Sequence, residues 1–308
     1  MRIAVLSRNR SLYSTRRLVQ AARNRGHEVM VIDTLAVAVQ VGLIKDGVSV
    51  PKLITSGPLG LTRTGNIPQV DAIIPRIGSS ITFYGLAVVR QFEALGVFTT
   101  AVAEAIACSR DKLQSLQLMS RCGLPIPRTA VIAQPKALFS AVNAVGGLPV
   151  VIKLIRGTHG KGVVLAKNLA TAAAVLDKVH RAKRQALIQE YLAESHGRDM
   201  RVIVVGNSCV AAMERIAVDG DFRANLHHGG SAVSASLDAD TSKLAVAAAK
   251  AHGLTVAGVD LVQSRRGPLL LEVNSSPGLE GIEGVTGVDI AQEIIIFLER
   301  SGRQKSSR

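Results

Sequence analysis

Three oxygen-bearing side chains stand out near the C-terminal end, each set inside an apolar run. Asp260 lies between Val259 and Leu261, and Glu272 and Asn274 sit two apart in Leu269-Leu-Leu-Glu-Val-Asn274. Ser264-Arg-Arg-Gly-Pro268 separates the two runs, and a polar turn between apolar runs predicts a β-hairpin. On a strand, Glu272 and Asn274 point to the same face. A carboxylate in such a setting is costly to bury without a cation or a donor. Asp, Glu and Asn offer the hard oxygens that Mg²⁺ and Mn²⁺ prefer, so a two-strand platform for one or two divalent ions facing nucleotide phosphates accounts for them. Spacing alone fits an amphipathic hairpin with a solvated polar face equally well.

Further candidates lie upstream. Lys153 interrupts the apolar run Pro149-Val-Val-Ile-Lys-Leu-Ile155 and needs a negative partner, which a phosphate would supply. Gly157, Gly160 and Gly162 follow it, and three glycines in six residues permit the positive φ and close backbone approach of a phosphate-covering loop. A hairpin turn needs similar residues, and no Gly-Lys-Ser/Thr leads into a helix as in a Walker loop. Lys112 follows Arg110-Asp111 at a predicted helix start, where a phosphate or plain solvent are the competing partners. Glu190-Tyr191 ends a strand whose backbone can face an adenine edge. Arg76 ends an apolar strand beside Gly78, placed for an anionic substrate or a surface ion pair. Asp199 and Arg201 open a long strand region. Arg223, Asn225, His227 and His228 mark a polar loop; no third ligand is spaced for zinc beside the two histidines. His159 is read as facing solvent.

The elements that must position these groups follow from periodicity. Residues 2–7, a helix over Ser11 to Arg25 and a strand over Glu28 to Ile32 form a β-α-β opening, which predicts a small parallel sheet. No glycine-rich dinucleotide fingerprint follows the first strand. Residues 45–68 read as hairpins or loops. Ile81 to Leu95 is one helix, and Ala103 to Arg121 holds one or two more. Leu124-Pro-Ile-Pro127 breaks the helical pattern and marks the main boundary. The predicted class is α/β followed by α+β, divided into 1–123, 124–192 and 193–300, with a basic tail at 301–308.

The chain has 308 residues, 47% of them hydrophobic, which excludes general disorder and supports two or three compact units. Lysines and arginines number 37 against 23 acidic residues, a net charge of +14 that favours acidic partners. Aromatics make up 3% and tryptophan is absent, so a base-stacking platform is poorly supplied and no direct nucleic-acid target is expected. Cys108, Cys122 and Cys209 form no Cys-x-x-Cys pair, which fits a reduced, cytoplasmic protein. No signal peptide, membrane span or solenoid repeat is expected, and a homo-oligomer is compatible with the sequence.

Taken in order, Lys153, the 157–162 loop, Glu190-Tyr191, Asp199-Met-Arg201, Asp260 and Glu272-Val-Asn274 resemble the ATP-grasp ligases. Within them, Pro75-Arg-Ile-Gly78, Ile81-Thr-Phe-Tyr-Gly85, Ser109-Arg-Asp-Lys-Leu113, Asp221-Phe-Arg-Ala-Asn-Leu-His227 and Glu272-Val-Asn-Ser-Ser-Pro-Gly-Leu-Glu-Gly-Ile-Glu283 are similar to the RimK-type α-L-glutamate ligases, from Arg2 to about Arg300. The segment near 45–68 and the basic tail depart from that pattern. The resemblance implies an ATP-grasp fold, an N-terminal α/β domain followed by two lobes that clasp ATP. It implies that Lys112, Lys153, Glu190, Tyr191, Asp199, Arg223 and Asn225 contact ATP and that Asp260, Glu272 and Asn274 hold two Mg²⁺ or Mn²⁺. Arg76 and Arg201 would meet substrate carboxylate or phosphate, and Arg201 or Arg223 the reaction's oxyanion. The implied substrates are glutamate and the C-terminus of small-subunit ribosomal protein S-six. A ligase acting on another carboxylate, and a non-catalytic nucleotide-binding regulator of ribosomes or RNA, are the alternatives.

Overall fold

The computed structural model describes residues 1–42, 44–45, 48–49, 52–55, 65–155, 162–218, 221–224 and 229–306. The opening is the expected β-α-β unit: β1 (Arg2–Leu6), α1 (Tyr13–Asn24) and β2 (Glu28–Ile32), with β1 and β2 parallel. Thr15, Leu18, Ala21 and Ala22 recur at three- and four-residue steps, so α1 buries one stripe. Segment 37–66 contributes β3 (Val37–Gln40), β4 (Ile44–Lys45), β5 (Val48–Ser49), β6 (Lys52–Thr55) and β7 (Gly65–Asn66), arranged as a β3-β6-β7 sheet and a β4-β5 hairpin. β8 (Ala72–Pro75), α2 (Thr82–Ala94) and β9 (Phe98–Thr99) complete a parallel sheet of order β2-β1-β8-β9. Because β1 and β8 run parallel, Ser7 and Arg76 leave the sheet at the same edge. The helical stretch that follows is two helices, α3 (Ala103–Arg110) and α4 (Lys112–Arg121), broken at Asp111.

β10 (Thr129–Val131), α5 (Leu138–Ala144), β11 (Val150–Leu154), β12 (Val163–Ala166), α6 (Leu169–Arg181) and β13 (Ala186–Glu190) form the second unit, an antiparallel sheet of order β10-β13-β11-β12. Val150, Ile152 and Ile188 pack with Leu138, Val142 and Leu176 of the two helices. Strand alternation therefore turns Lys153 and Gln189 to the opposite face.

The third unit holds β14 (Arg198–Val205), β15 (Ser208–Ile216), β16 (Ser231–Ser234), α7 (Ala239–Ala251), β17 (Val256–Ser264), β18 (Gly267–Asn274), α8 (Glu280–Thr286) and α9 (Ile290–Ser306). Its sheet has the order β16-β15-β14-β17-β18. One face presents Val202, Val204, Ala257 and Val259 to the alanines of α7, Ala245, Ala248 and Ala249. The other presents Ile203, Val205, Met213 and Val256 to Ile294, Ile295 and Leu298 of α9. Burying each such aliphatic side chain contributes about 1.5–3 kcal/mol. By strand parity, Asp199, Arg201, Arg215 and Asp260 lie on this second face, beyond the end of the apolar patch.

Among the described residues, no helix is long and apolar enough to cross a membrane.

Candidate active site

The hairpin read from the sequence exists as β17 and β18, and its register decides which side chains share a face. Asp260 stands opposite Glu272 and Gly258 opposite Asn274, whereas Leu261 stands opposite Leu270. Leu271 is therefore an extra residue, a β-bulge that re-aims the strand. With it, Leu270 and Val273 both enter the core while Glu272 and Asn274 keep the face of Asp260. Alternation along β18 alone does not reveal this switch.

Asp260 is buried, and its charge is balanced by two arginines from neighbouring strands. Arg201 Nε and Nη2 donate to its two oxygens at 2.8 and 2.7 Å, and Arg215 Nη2 reaches Oδ2 at 3.1 Å. Burial alone would raise the Asp260 carboxyl, but Arg201 and Arg215 outweigh it and hold the pKa down at about 2. Arg215 also forks onto Asp199 at 2.5 and 2.8 Å. Burial works against the Arg215 charge, and Asp260 and Asp199 together raise its pKa above the ordinary value. Arg215 is a site residue that motif spacing does not single out. It stands in Ala211-Ala-Met-Glu-Arg-Ile216, a charge within an apolar strand, the same signal that marked Lys153.

Glu272 is half-buried, and among the described residues it accepts no hydrogen bond. Asn274 Nδ2 is buried without a hydrogen-bond partner among the described residues. Two features fit a divalent ion: a carboxylate left open, and an Asp260 Oδ1 that accepts a single bond. Among the described residues no three His, Cys, Asp or Glu side chains cluster as a metal set; this site includes an asparagine.

Lys153 faces the same space from the second sheet. Its Nζ donates to Gln189 Oε1 at 2.7 Å, and Gln189 Nε2 donates to Thr129 Oγ1 at 2.9 Å. Burial lowers the Lys153 pKa to about 8; Glu272, Asp199 and Asp260 pull it up, and Lys112 pushes it down. One electrostatic field thus joins β11, α4, β14, β17 and β18. Lys112 opens α4, and its N–H lies 3.5 Å from the Ile155 carbonyl at the end of β11. The adjoining helix N–H groups are already used: the Asp111 side chain accepts from Leu113 and Gln114 at 3.1 Å each. A phosphate at this helix start would therefore meet the lysine rather than those amides.

Glu190, at the end of β13, is buried between two arginines. It accepts from Arg128 N at 2.7 Å and Nε at 2.8 Å, and from Arg266 Nη2. Burial raises its pKa, but the backbone and side-chain donors of Arg128 and Arg266 bring it below the usual range. The Tyr191 ring meets Phe222 edge-on at 6.2 Å, and with Leu165, Lys167 and Asp221 they line a cavity of about 630 Å³ between the second and third sheets. Arg223 folds back onto Asp221 at 2.8 Å. Its hydrogen bonds hold the Asp221 carboxyl at about 2. Gly162 takes φ +79, and its carbonyl accepts from Leu154 N at 3.1 Å. A Cβ there would meet Leu154 Cδ1 at 2.3 Å, so the position requires glycine. Gly157, Gly160, His159, Asn225, His227 and His228 lie outside the described residues.

Arg76 Nη2 donates to the Pro277 carbonyl at 2.7 Å, which places this arginine against the segment that follows Asn274. Neighbouring contacts fix the same segment: Ser276 Oγ to Pro75 O at 3.2 Å, Leu279 N to Ser14 Oγ at 3.0 Å and Ser109 Oγ to Ser275 Oγ at 3.0 Å.

A family model for the RimK-like ATP-grasp domain matches residues 109–298, and one for the RimK pre-ATP-grasp domain matches residues 1–106. The chain belongs to the RimK-like ATP-grasp family. It is accordingly an enzyme of the ligase class, with a pre-ATP-grasp domain ahead of its ATP-grasp domain. It is 49% identical over 305 residues to a protein of Shewanella amazonensis named probable alpha-L-glutamate ligase 1, covering 99% of this chain and 97% of that one. A probable alpha-L-glutamate ligase of Vibrio parahaemolyticus is 48% identical, covering 100% and 98%. Among solved structures, a RimK domain protein of Sphaerobacter thermophilus superposes with a TM-score of 0.73 at 20% identity, covering 96% of this chain and 99% of that one. The ligase PsnB, complexed with minimal precursor, Mg and ADP, gives 0.71 at 22% identity and covers 98% of each chain. These structures share the fold.

Proposed function

We propose that this chain joins glutamate to the C-terminus of small-subunit ribosomal protein S-six at the expense of ATP. The observation that carries the ligase site is Glu272. It is a half-buried carboxylate without a hydrogen bond among the described residues, opposite Asp260 and in the field of Lys153 and Arg110. A structural carboxylate taken out of water is tied down by donors, as the more deeply buried Glu190 is. The names of relatives at 48–49% identity support glutamate as the incoming amino acid.

Asp260, Glu272 and Asn274 would hold Mg²⁺ or Mn²⁺, two ions in all, which supply charge neutralisation at the phosphate oxygens. Lys153 and Lys112 hold the transferring phosphate. Glu190 and Tyr191 border the base, and Asp199, Arg223 and Asn225 complete the nucleotide contacts. Gly157, Gly160 and Gly162 let the covering loop approach the phosphates and shield the intermediate from water. An acceptor carboxylate oxygen attacks the γ-phosphorus and ADP leaves, giving an acyl phosphate. The glutamate amine then attacks the acyl carbon, phosphate leaves with the C–O electron pair, and the amine's proton passes to solvent. Arg201 or Arg223 stabilises the tetrahedral oxyanion, and Arg76 and Arg201 hold anionic substrate groups. Repetition on the new C-terminus builds a polyglutamate tail, for which a chain of net charge +14 is a suitable carrier. Residues 1–123, 124–192 and 193–300 serve as the pre-ATP-grasp unit and the two clasping lobes. A ribosomal acceptor and free cysteines support a cytoplasmic location.

The test is mass spectrometry of small-subunit ribosomal protein S-six after incubation with the enzyme, ATP, Mg²⁺ and glutamate. Mass steps of one glutamyl unit at its C-terminus are expected. Glutamate-dependent ADP release without mass steps would move the acceptor elsewhere. The absence of both, from folded enzyme, would overturn the reading.

A further inference from the structure

Arg76 and Arg110 come from different elements, the exit of β8 and the last turn of α3, and arrive at the same place. Arg76 Nη2 donates to Pro277 O at 2.7 Å, and Arg110 Nη2 donates to Ile77 O at 2.5 Å, one residue beyond Arg76. Both side chains are half-buried rather than sealed in the core. Among the described residues neither forms a salt bridge. Every other buried arginine at this centre does: Arg215 contacts two carboxylates and Arg201 one. Arg110 Nε is buried without a hydrogen-bond partner among the described residues. Burial, with the charge of Arg110 adding to it, depresses the Arg76 pKa to about 10, and among the described residues no carboxylate offsets them. Burial also lowers the Arg110 pKa, and Glu272 partly offsets this.

Two guanidiniums, each held by a backbone carbonyl, with donors to spare and no salt bridge among the described residues, form an electrostatically incomplete arrangement. A guanidinium offers five donors, and its fork matches a carboxylate at two points. We propose that Arg76 and Arg110 together bind a carboxylate of the incoming amino acid, and hold it beside Glu272 so that its amine meets the acyl carbon. This rests on the glutamate-ligase reading and adds Arg110 to it. The acceptor's carboxylate is a poorer fit, because its charge passes to the phosphate during the reaction, whereas the amino acid's carboxylates stay ionised throughout. The phosphates already have Lys112 and Lys153.

The experiment compares wild-type enzyme with Arg76→Gln and Arg110→Gln in steady-state ADP release, varying glutamate and ATP separately. Losing a charge-assisted hydrogen bond to a carboxylate predicts a glutamate KM raised about 10- to 100-fold, with the KM for ATP within about twofold of wild type. Arg76→Lys and Arg110→Lys keep the charge and lose the fork, and are predicted to give a smaller rise of the same kind. They serve where a glutamine variant melts below the assay temperature. Merely loosening the Pro277 segment would move the ATP and metal dependence as well, so equal rises for ATP and glutamate overturn the proposal. An unchanged glutamate KM in active variants overturns the arginine pair alone. No glutamate-dependent ADP release by wild-type enzyme overturns the glutamate reading itself, and the pair's assignment with it.

Discussion

Arg201 and Asp260 stand opposite each other on paired strands and meet through two hydrogen bonds of 2.8 and 2.7 Å. They are 59 positions apart in sequence, and the sheet alone brings them together. Arg201 thus reaches the proposed metal site first through Asp260. Arg201→Ala leaves Asp260 with Arg215 as its remaining partner, and the loss of two charge-assisted bonds is expected to cost about 1–3 kcal/mol of stability. The sign with pH follows from the depressed Asp260 carboxyl. Its contribution is complete above the unfolded aspartate value near 3.9 and is lost as pH falls toward about 2. Without Arg201 the folded value rises toward the unfolded one, so the variant's stability deficit is largest near neutral pH and shrinks on acidification. Denaturant melts at pH 7 and pH 3 measure both.

Glu272→Gln tests the open carboxylate. The amide is isosteric and Glu272 accepts no hydrogen bond among the described residues, so the fold should persist with a melting temperature near wild type. The charge that a metal ion requires is removed, and glutamate-dependent ADP release is expected to fall at least about 100-fold, in line with loss of one electrostatic stabiliser of the transition state. Near-normal turnover by the folded variant would remove Glu272 from the metal set.

Lys153 gives a pH signature. Its pKa is held down to about 8, chiefly by burial. Above that pH the amine is neutral and has no charge to offer a phosphate. The KM for ATP is therefore expected to rise as pH goes from about 7.5 to 9.5, beyond any change in the nucleotide's own ionisation. Lys153→Arg keeps its charge across that range and should flatten the rise, while lowering kcat through its larger head group. Parallel profiles for the two proteins would assign the effect to another group.

What the sequence revealed, and what it hid, divides along one physical line. Asp260, Glu272 and Asn274 were legible because a polar residue inside an apolar strand is expensive and needs a reason. Lys153 was legible on the same ground, and Leu124-Pro-Ile-Pro127 because proline breaks a helix locally. The β-α-β opening showed in periodicity alone. Hidden features depend on pairings between distant segments: the Leu271 bulge set by register with β17, Glu190 enclosed by Arg128 and Arg266, and Asp260 shared by Arg201 and Arg215. Arg215 carries a readable signal, a charge amid Ala211-Ala-Met and Ile216, but lies outside the motifs. Asp111 was read as a neighbour of Lys112, yet it caps α4 and uses the amides that a phosphate would have sought.

Gly258 tests whether the Asn274–Leu279 segment must be held close. It lies opposite Asn274 in the hairpin, and its φ is one that any residue can adopt. Its constraint is space: a Cβ would come within 2.8 Å of Pro277 Cβ. That contact is shorter than packed carbons allow, and Pro277 cannot swing aside as a long side chain would. Gly258→Ala should therefore displace the segment and with it the Arg76–Pro277 and Ser276–Pro75 hydrogen bonds. Overpacking of this kind costs about 1–3 kcal/mol. A displaced segment also carries Asn274 away from Asp260, so the Mg²⁺ concentration for half-maximal activity should rise by about tenfold while the melting temperature falls by only a few degrees. A variant that melts lower yet keeps its Mg²⁺ dependence would show that Gly258 serves packing alone.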